Sequence, residues 1–114
     1  MTNISVTVAD GPTPEKKIIS LFGELDETAA EEIKKKIDPL LQNDQVHSIV
    51  LNLKDLEYIN SKGIGFLVFL FTHLSKTRRQ FILAEAQESV LDVMSLVGLN
   101  SLIPYFEHLE EALV

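Results

Sequence analysis

The sequence predicts a single α/β domain built on a mixed β-sheet. Short segments with the alternation or β-branched content of strands are interleaved along the chain with segments of helical periodicity. Turn residues separate these segments, and no repeat, low-complexity tract or linker divides them. The length of 114 residues and the hydrophobic content of 46% suit one core. We therefore expect one domain over residues 1–114, in the order β-β-α-β-α-β-α-β with room for a final helix.

The first two predicted strands form a hairpin. Residues 4–8 alternate apolar and hydroxylated side chains, as in a half-buried strand, and residues 17–22 form a second apolar segment. Residues 10–14 between them are rich in glycine, proline and aspartate, which indicates a turn. Because the connection is short, we expect the two strands to pair antiparallel.

The first helix and the central strand come next. Apolar residues recur at helical spacing over residues 28–41, which predicts an amphipathic helix. Thr28 and Glu31 match a capping box, and Asp26 offers an alternative N-cap. Residues 48–53 are a continuous β-branched and aliphatic run, typical of a central strand that is covered on both faces.

The remaining elements continue the alternation. After a short polar connection, residues 64–75 have helical length, residues 80–84 form a strand, and residues 88–97 form a helix ending at Gly98. Residues 102–106 predict a short last strand, which Pro104 places at the edge of the sheet. Residues 109–114 are long enough for a terminal helical turn.

The helix over residues 64–75 has two apolar faces. Projected at 100° per residue, one face carries Ile64, Leu67, Val68, Phe71 and Leu74, and the opposite one carries Phe66, Phe69, Leu70 and His73. We expect the first face to meet the sheet. The second would then leave Phe66 and Phe69 exposed for a partner, although burial under another element or in a dimer is an equal alternative.

Composition excludes several functions. The net charge of −7 argues against a nucleic-acid partner. The chain has no cysteine, its three histidines lack metal-ligand spacing, and it has no phosphate-binding loop, so we predict no metal and no cofactor. Residues 1–6 lack the features of a signal peptide, and the apolar stretch 63–71 is too short to span a bilayer. A cytoplasmic protein without a membrane partner is therefore expected.

Two motifs carry a family resemblance. Residues 55–65 read Asp-Leu-Glu-Tyr-Ile-Asn-Ser-Lys-Gly-Ile-Gly, between the central strand and the next helix. This stretch resembles the signature of STAS-domain anti-sigma factor antagonists, in which Asp-Ser-small-Gly-aliphatic-Gly opens a helix. Residues 23–26, Gly-Glu-Leu-Asp, resemble the second hallmark, and residues 97–99 match the end of the third helix. The resemblance spans essentially the whole chain and implies a STAS-type fold with four to five strands and helices mainly on one face.

The resemblance also implies a function, which is that of a partner-switching regulator rather than an enzyme. In the family, the signature serine is phosphorylated by the anti-sigma factor, itself a serine kinase, which here implies phosphorylation of Ser61. The unmodified protein would bind that kinase, and a serine phosphatase would reset it. A monomer is favoured. The expected partner-binding residues are Glu24, Asp26, Asn60, Ser61, Lys62, Gly63, Ile64, Gly65, Phe66 and Phe69.

Ser61 suits a switch on physical grounds. A hydroxyl in the first helical turn can cap the helix and still be reached by a kinase. A phosphate there adds a charge of about −1.5 to −2, which the helix dipole and free amides tolerate, whereas a partner that must desolvate it would lose affinity. We therefore expect phosphorylation to block binding and spare the fold.

The sequence departs from the family pattern at two positions. Asn60 replaces the usual acidic residue but can still accept a capping hydrogen bond. Lys62 stands where a small residue is usual, and because a cation is unfavourable in the first turn, we expect it to meet an acidic group on a partner or phosphorylated Ser61.

Two other hypotheses stay open. One is a STAS scaffold or sensor module that never carries phosphate. The other is a small α/β enzyme or a receiver-like phosphoacceptor domain. For a receiver, Asp10 and Asp55 are present without a convincing third residue, and for an enzyme, Ser61 has no general base that the sequence can place.

Overall fold

A computed structural model describes residues 4–114, so the first three residues of the predicted domain and of the segment searched for a signal peptide lie outside the described part. The elements along the chain are β1 (Ile4–Asp10), β2 (Lys16–Leu25), α1 (Glu27–Leu41), β3 (Ser48–Ile59), α2 (Ser61–Lys76), β4 (Gln80–Ala84), α3 (Glu88–Leu96), α4 (Leu99–Leu102), β5 (Tyr105–Phe106) and α5 (Leu109–Ala112). The predicted order is confirmed, with α4 as an additional short helix.

The five strands form one mixed sheet in the spatial order β1-β2-β3-β4-β5. β1 and β2 pair antiparallel, as the short connection between them predicted, and the other neighbouring strands pair parallel. β3 is therefore the central strand, and β5 lies at the edge directly after Pro104. Both positions were predicted from the sequence.

The helices lie mainly on one face of the sheet. Side chains of α1, α2 and α3 join a continuous core with every second residue of the central strands, including Ile49, Leu51 and Leu83. On the opposite face, the short helix α5 covers a smaller cluster around Val50 and Ile82. This arrangement confirms the prediction that the helices pack mainly on one face of the sheet.

β3 is longer than predicted. It continues to Ile59, whereas the sequence indicated a polar connection after Leu53. The buried residues in this extension, Leu53, Leu56 and Ile59, are spaced by three because the register with β2 shifts twice, each time by one additional residue on β3. The connection to α2 is consequently a single residue, Asn60.

Two other predictions at element ends need correction, although the alternative N-cap of α1, Asp26, is confirmed. The N-cap of α1 is Asp26, whose Oδ1 accepts a hydrogen bond from the Ala29 amide at 2.9 Å, so Thr28 lies inside the helix and forms no capping box. Near the other end of the chain, Leu102 belongs to α4 and not to the last strand. The chain reaches α4 through Gly98, whose φ of 75° is left-handed and stops α3.

The turn after α2 is hydrogen-bonded to the end of α1 and to the segment that follows α1. Arg79 and Arg78 donate their amides to the carbonyls of Leu74 (2.8 Å) and Ser75 (3.1 Å), which is a Schellman turn with Arg78 at a left-handed φ of 61°. The Arg79 guanidinium also donates to the carbonyl of Leu41, the last residue of α1, and to those of Asn43 and Val46 in the segment that follows it.

Candidate functional site

The candidate site lies where β2 and β3 end side by side. Leu25 and Ile59 are partners in the parallel register, and the Asn60 amide donates to the Leu25 carbonyl at 3.2 Å. The residues that follow the two strands, Asp26 and Asn60, are the N-caps of α1 and α2. The two sequence motifs, far apart in the chain, therefore meet at one edge of the sheet.

Asn60, and not Ser61, caps α2. The Asn60 Oδ1 accepts a hydrogen bond from the Gly63 amide at 3.0 Å, and the Asn60 carbonyl accepts from the Ile64 amide at 2.9 Å. Ser61 is the first helical residue and is exposed. The expectation that its hydroxyl caps the helix was wrong. Within residues 4–114 no hydrogen bond uses the Ser61 hydroxyl, so it is accessible to a reaction partner.

The two glycines of the motif have different surroundings. A Cβ on Gly63 would lie 2.4 Å from the Leu25 carbonyl oxygen and 3.0 Å from Ile59 Cγ1, so only glycine lets α2 approach the ends of both strands this closely. A Cβ on Gly65 would have no atom within 4 Å. Gly63 is therefore required by packing, and the fold does not require glycine at position 65.

The exposed side of α2 is a ridge of residues spaced by four: Ser61, Gly65, Phe69 and His73. We call this set the α2 ridge. Phe69 is 52% exposed, and its ring stacks on that of His73 with centroids 6.0 Å apart. A spacing of four places the members along one row of the helix surface, so Ser61 and Phe69 are about 12 Å apart along the axis.

The predicted division of α2 into two faces needs correction. Leu70 was assigned to the exposed face, but it is 2% exposed and belongs to the core with Leu67 and Leu74. Phe66 and Ile64 are half-buried and pack against that core. Burial covers a wider arc than the projection indicated because α2 packs against both the sheet and the neighbouring helix α1. Of the two phenylalanines, Phe69 has the freer ring.

Lys62 and Glu24 are charged motif residues whose surroundings differ. The first turn of α2 holds no acidic residue, and Lys62 is exposed there. In the described part of the chain, the salt bridges join Lys17 to Asp10 and Lys35 to Glu32, and neither involves Lys62. Glu24 is half-buried on β2 and lies opposite Tyr58 of β3.

Sequence reasoning missed two exposed aromatic residues next to this site. Tyr58 is 50% exposed and Phe22 is 40% exposed, on neighbouring strands that both lead into the site. Phe22 directly precedes residues 23–26, and Tyr58 lies inside the second motif, two residues before Asn60. An aromatic residue shortly before each N-cap was the signal that could have indicated them.

The one resolved pKa shift among the described residues belongs to Tyr105, which lies outside this site. Burial raises the pKa of Tyr105 by desolvation, while the Ala86 amide, which donates to its hydroxyl at 3.0 Å, opposes the increase. Residues 4–114 contain no cluster of three potential metal-ligating side chains. Over the same residues, no helix has the length and apolar character needed to cross a bilayer. The edge itself offers an exposed hydroxyl, a cation and an aromatic ridge, which suit recognition by another protein.

Comparisons with known proteins agree with this arrangement. A family model described as the STAS domain matches residues 3–112. An anti-sigma F factor antagonist from Lysinibacillus sphaericus is 32% identical over 88 residues, which cover 77% of this chain and 75% of the relative.

Two solved structures extend the comparison to the fold. The anti-sigma factor antagonist SpoIIAA in its unphosphorylated form is 29% identical, with a TM-score of 0.78 over 95% of this chain and 92% of that one. The phosphorylated form of SpoIIAA from Bacillus is 28% identical, with a TM-score of 0.71 over 95% and 96% of the two chains.

Proposed function

The chain belongs to the STAS domain family, and on that premise we propose that it is an anti-sigma factor antagonist controlled by phosphorylation of Ser61. The observation that carries the proposal is the position of Ser61. It is the first residue of α2 and is exposed, its hydroxyl forms no hydrogen bond among the described residues, and it begins a ridge that also presents an aromatic ring.

The fold can accept a phosphate at Ser61. Asn60 already caps the helix, so modification of the serine removes no capping hydrogen bond. The first turn has no acidic side chain to repel a dianion, and the helix dipole and Lys62 both favour negative charge there. Phosphorylation should therefore leave the domain folded.

The same phosphate would oppose docking on the α2 ridge. A partner that covers Phe69 also approaches Ser61, which is about 12 Å away along the helix. Desolvating a dianion in that interface is costly, and each 1.4 kcal/mol lost lowers affinity about tenfold. Binding is thus lost while the structure remains.

Gly65 supports the ridge as the contact surface. Glycine in a helix interior costs roughly 0.5–1 kcal/mol relative to alanine, and at position 65 no neighbouring atom requires it. A bare backbone between Ser61 and Phe69 allows close approach by a partner. We assign the contact to the α2 ridge together with Lys62, Phe66 and the adjoining motif residues Glu24, Asp26, Asn60, Gly63 and Ile64.

The partners follow from the same proposal. The anti-sigma factor would bind the unmodified protein and, as a serine kinase, phosphorylate Ser61, while a serine phosphatase would reverse the modification. The protein would act in the cytoplasm as a monomer that exchanges partners, with no catalytic activity of its own.

The test combines modification and binding. The protein is incubated with a candidate anti-sigma factor kinase and ATP, and the phosphorylated residue is located by mass spectrometry. Affinity is then measured by calorimetry for the wild type, Ser61→Ala and Ser61→Asp. We expect phosphate on Ser61 only, retained binding for Ser61→Ala, and at least about tenfold weaker binding for Ser61→Asp.

Ser75 provides the matched control, because it is an exposed serine near the other end of α2. Ser75→Asp adds the same charge to the same helix and should bind like the wild type. If Ser61→Asp binds with unchanged affinity, the phosphorylation switch is refuted, and a STAS scaffold that never carries phosphate becomes the better description.

A further inference from the structure

One part of the sheet has a face that the described helices leave open. The helices α1, α2 and α3 pack on one face of the sheet, and α5 covers the other face around Val50, Ile82 and Ala84. Farther along β2 and β3, toward the strand ends that precede Asp26 and Asn60, this second face carries aromatic side chains that are about half exposed. We call this part of the sheet the open face.

Four side chains of β2 and β3 lie together on the open face. In the parallel register, Phe22 is opposite Asp55 and Glu24 is opposite Tyr58, and residues that are opposite each other point to the same face. Each of these pairs is followed by a pair that faces the core. We call the four residues the open-face block. Its two aromatic residues stand on one diagonal, and its two carboxylates stand on the other.

The two register shifts of β3 bring this block together. The odd-numbered residues Ile49, Leu51 and Leu53 face the core, so an unbroken strand would also turn Asp55 toward the core. The first additional residue reverses the alternation and moves Asp55 to the open face, and the second does the same for Tyr58. Such bulges interrupt the hydrogen-bond ladder and occur where a side chain is re-aimed for function. Their positions therefore point to a role for the block.

The carboxylates of the block have no partner within residues 4–114. The carboxylates that accept hydrogen bonds or form salt bridges in this range belong to other residues. Lys54, the nearest cation in the sequence to Asp55, is exposed and forms a salt bridge with neither Asp55 nor Glu24. Asp55 is exposed and Glu24 is half-buried, so both can accept hydrogen bonds from a guest.

The dimensions of the block suit one cationic group. Neighbouring strands are about 4.8 Å apart, and residues two apart on a strand are about 6.6 Å apart, so each ring borders both carboxylates. A cation above the block can lie against an aromatic ring and donate to a carboxylate at the same time. An anion would be repelled, and an uncharged apolar group would desolvate the carboxylates without pairing them.

We propose that the open-face block binds the guanidinium group of an arginine on a partner protein. A guanidinium is planar and can stack on an aromatic ring, and its five N–H donors can reach two carboxylates, whereas the ammonium of lysine is a compact point charge. Because both rings are only about half covered, the block can hold one side chain but cannot enclose a whole small molecule. The net charge of −7 also attracts a basic segment.

The block adjoins the Ser61 site but extends onto the opposite face of the sheet from α2. Tyr58 precedes Ser61 by three residues, so both lie at the same end of the sheet. Glu24 belongs to the contact surface proposed above, whereas Phe22, Asp55 and Tyr58 lie beyond it. No residue of α2 belongs to the block, and the inference does not depend on phosphorylation. Failure of the phosphorylation switch would leave the peptide measurements below unchanged.

The first test uses a defined probe, the blocked peptide acetyl-Gly-Arg-Gly-amide, titrated into isotope-labelled protein and followed by NMR. The amide signals of Phe22, Asp55 and Tyr58 should shift along one saturable curve. The same peptide with citrulline in place of arginine keeps the shape of the side chain but has no charge, so it should bind at least about fivefold more weakly. Equal binding of the two peptides would overturn the assignment of arginine. Equal shifts at exposed acidic residues throughout the protein would show attraction by net charge alone and would overturn the site.

The second test repeats the titration with variants of the block. Asp55→Asn removes one charge at nearly constant size, and Tyr58→Leu removes a ring while keeping an apolar side chain. Each should weaken the arginine peptide about threefold or more. Unchanged affinity in both variants would refute the block as the binding site. Asp55→Asn removes no hydrogen bond or salt bridge of the described residues, so its result does not depend on a loss of stability.

Asp44 provides the matched control for charge. It is an exposed aspartate in the connection that precedes β3, at the other end of that strand from the block. Asp44→Asn makes the same change in net charge and should bind the arginine peptide like the wild type. The same loss of affinity in Asp44→Asn and Asp55→Asn would show that net charge, and not the block, attracts the peptide.

Discussion

Adding one methyl group to α2 should have opposite effects at its two glycines. Gly63→Ala places a Cβ 2.4 Å from the Leu25 carbonyl oxygen, 2.9 Å from Leu25 Cγ and 3.0 Å from Ile59 Cγ1. The nearest atom is backbone, and that carbonyl also accepts from the Asn60 amide, so it cannot move without disturbing the helix start. Gly65→Ala adds the same methyl group to the same helix where no atom lies within 4 Å.

The expected magnitudes follow from these distances. Alanine in place of glycine stabilises a helix interior by roughly 0.5–1 kcal/mol, and Gly65→Ala should show this gain in full. Gly63→Ala has the same helix-propensity gain, but overpacking costs about 1–3 kcal/mol of stability. The cost should be near the upper end of this range because the nearest atom belongs to the backbone, so the net loss should be about 1–2 kcal/mol. The two variants should therefore differ by roughly 2–3 kcal/mol in their free energy of unfolding.

Urea unfolding followed by circular dichroism measures both values, and binding of the anti-sigma factor separates stability from function. Gly65→Ala should be more stable than the wild type and yet bind more weakly, because the methyl group stands on the α2 ridge. Should Gly63→Ala prove as stable as Gly65→Ala, the close approach of α2 to β2 would be wrong. Should Gly65→Ala bind normally, the partner does not approach the backbone there.

Three further variants probe individual contacts. Asn60→Ala removes the acceptor for the Gly63 amide and should destabilise the protein by about 1 kcal/mol in urea unfolding, whereas Asn60→Asp keeps the cap and should not. Arg78→Gly should stabilise by about 0.5–1 kcal/mol in the same assay, because glycine adopts the left-handed φ of 61° without strain. The raised pKa of Tyr105 means that the unfolded chain loses this proton first, so stability should fall as pH rises above about 10. Tyr105→Phe, unfolded in parallel across this pH range, should lose less stability as the pH rises. An identical pH dependence of the two proteins would show that the buried Tyr105 hydroxyl does not cause the fall.

Local patterns were enough to predict most of the fold. The alternation in β1, the helical spacing of α1 and the aliphatic run that opens β3 each had one consistent interpretation. The β3 extension was missed because two additional residues change its burial from a period of two to a spacing of three, and its polar residues then resemble a loop. That spacing depends on register with β2, which a single segment does not encode.

The site was predicted in part. The motif identified Ser61 and Asn60, but which of them caps α2 depends on where β3 ends, and this was the element whose end was misplaced. Leu70 was assigned to the exposed face because projection alone does not show that α2 packs against both the sheet and α1.

The guanidinium of Arg79 has a consequence for the order of folding. It is bonded to carbonyls that lie 33 to 38 positions earlier in the chain. During synthesis, α1 and the segment that follows it leave the ribosome well before the side chain that fixes them. Ordering that segment has an entropic cost, and the first half of the chain alone lacks the Arg79 hydrogen bonds that would offset it. We therefore expect that segment to become ordered only after α2 and β4 have been made, as a late step of folding.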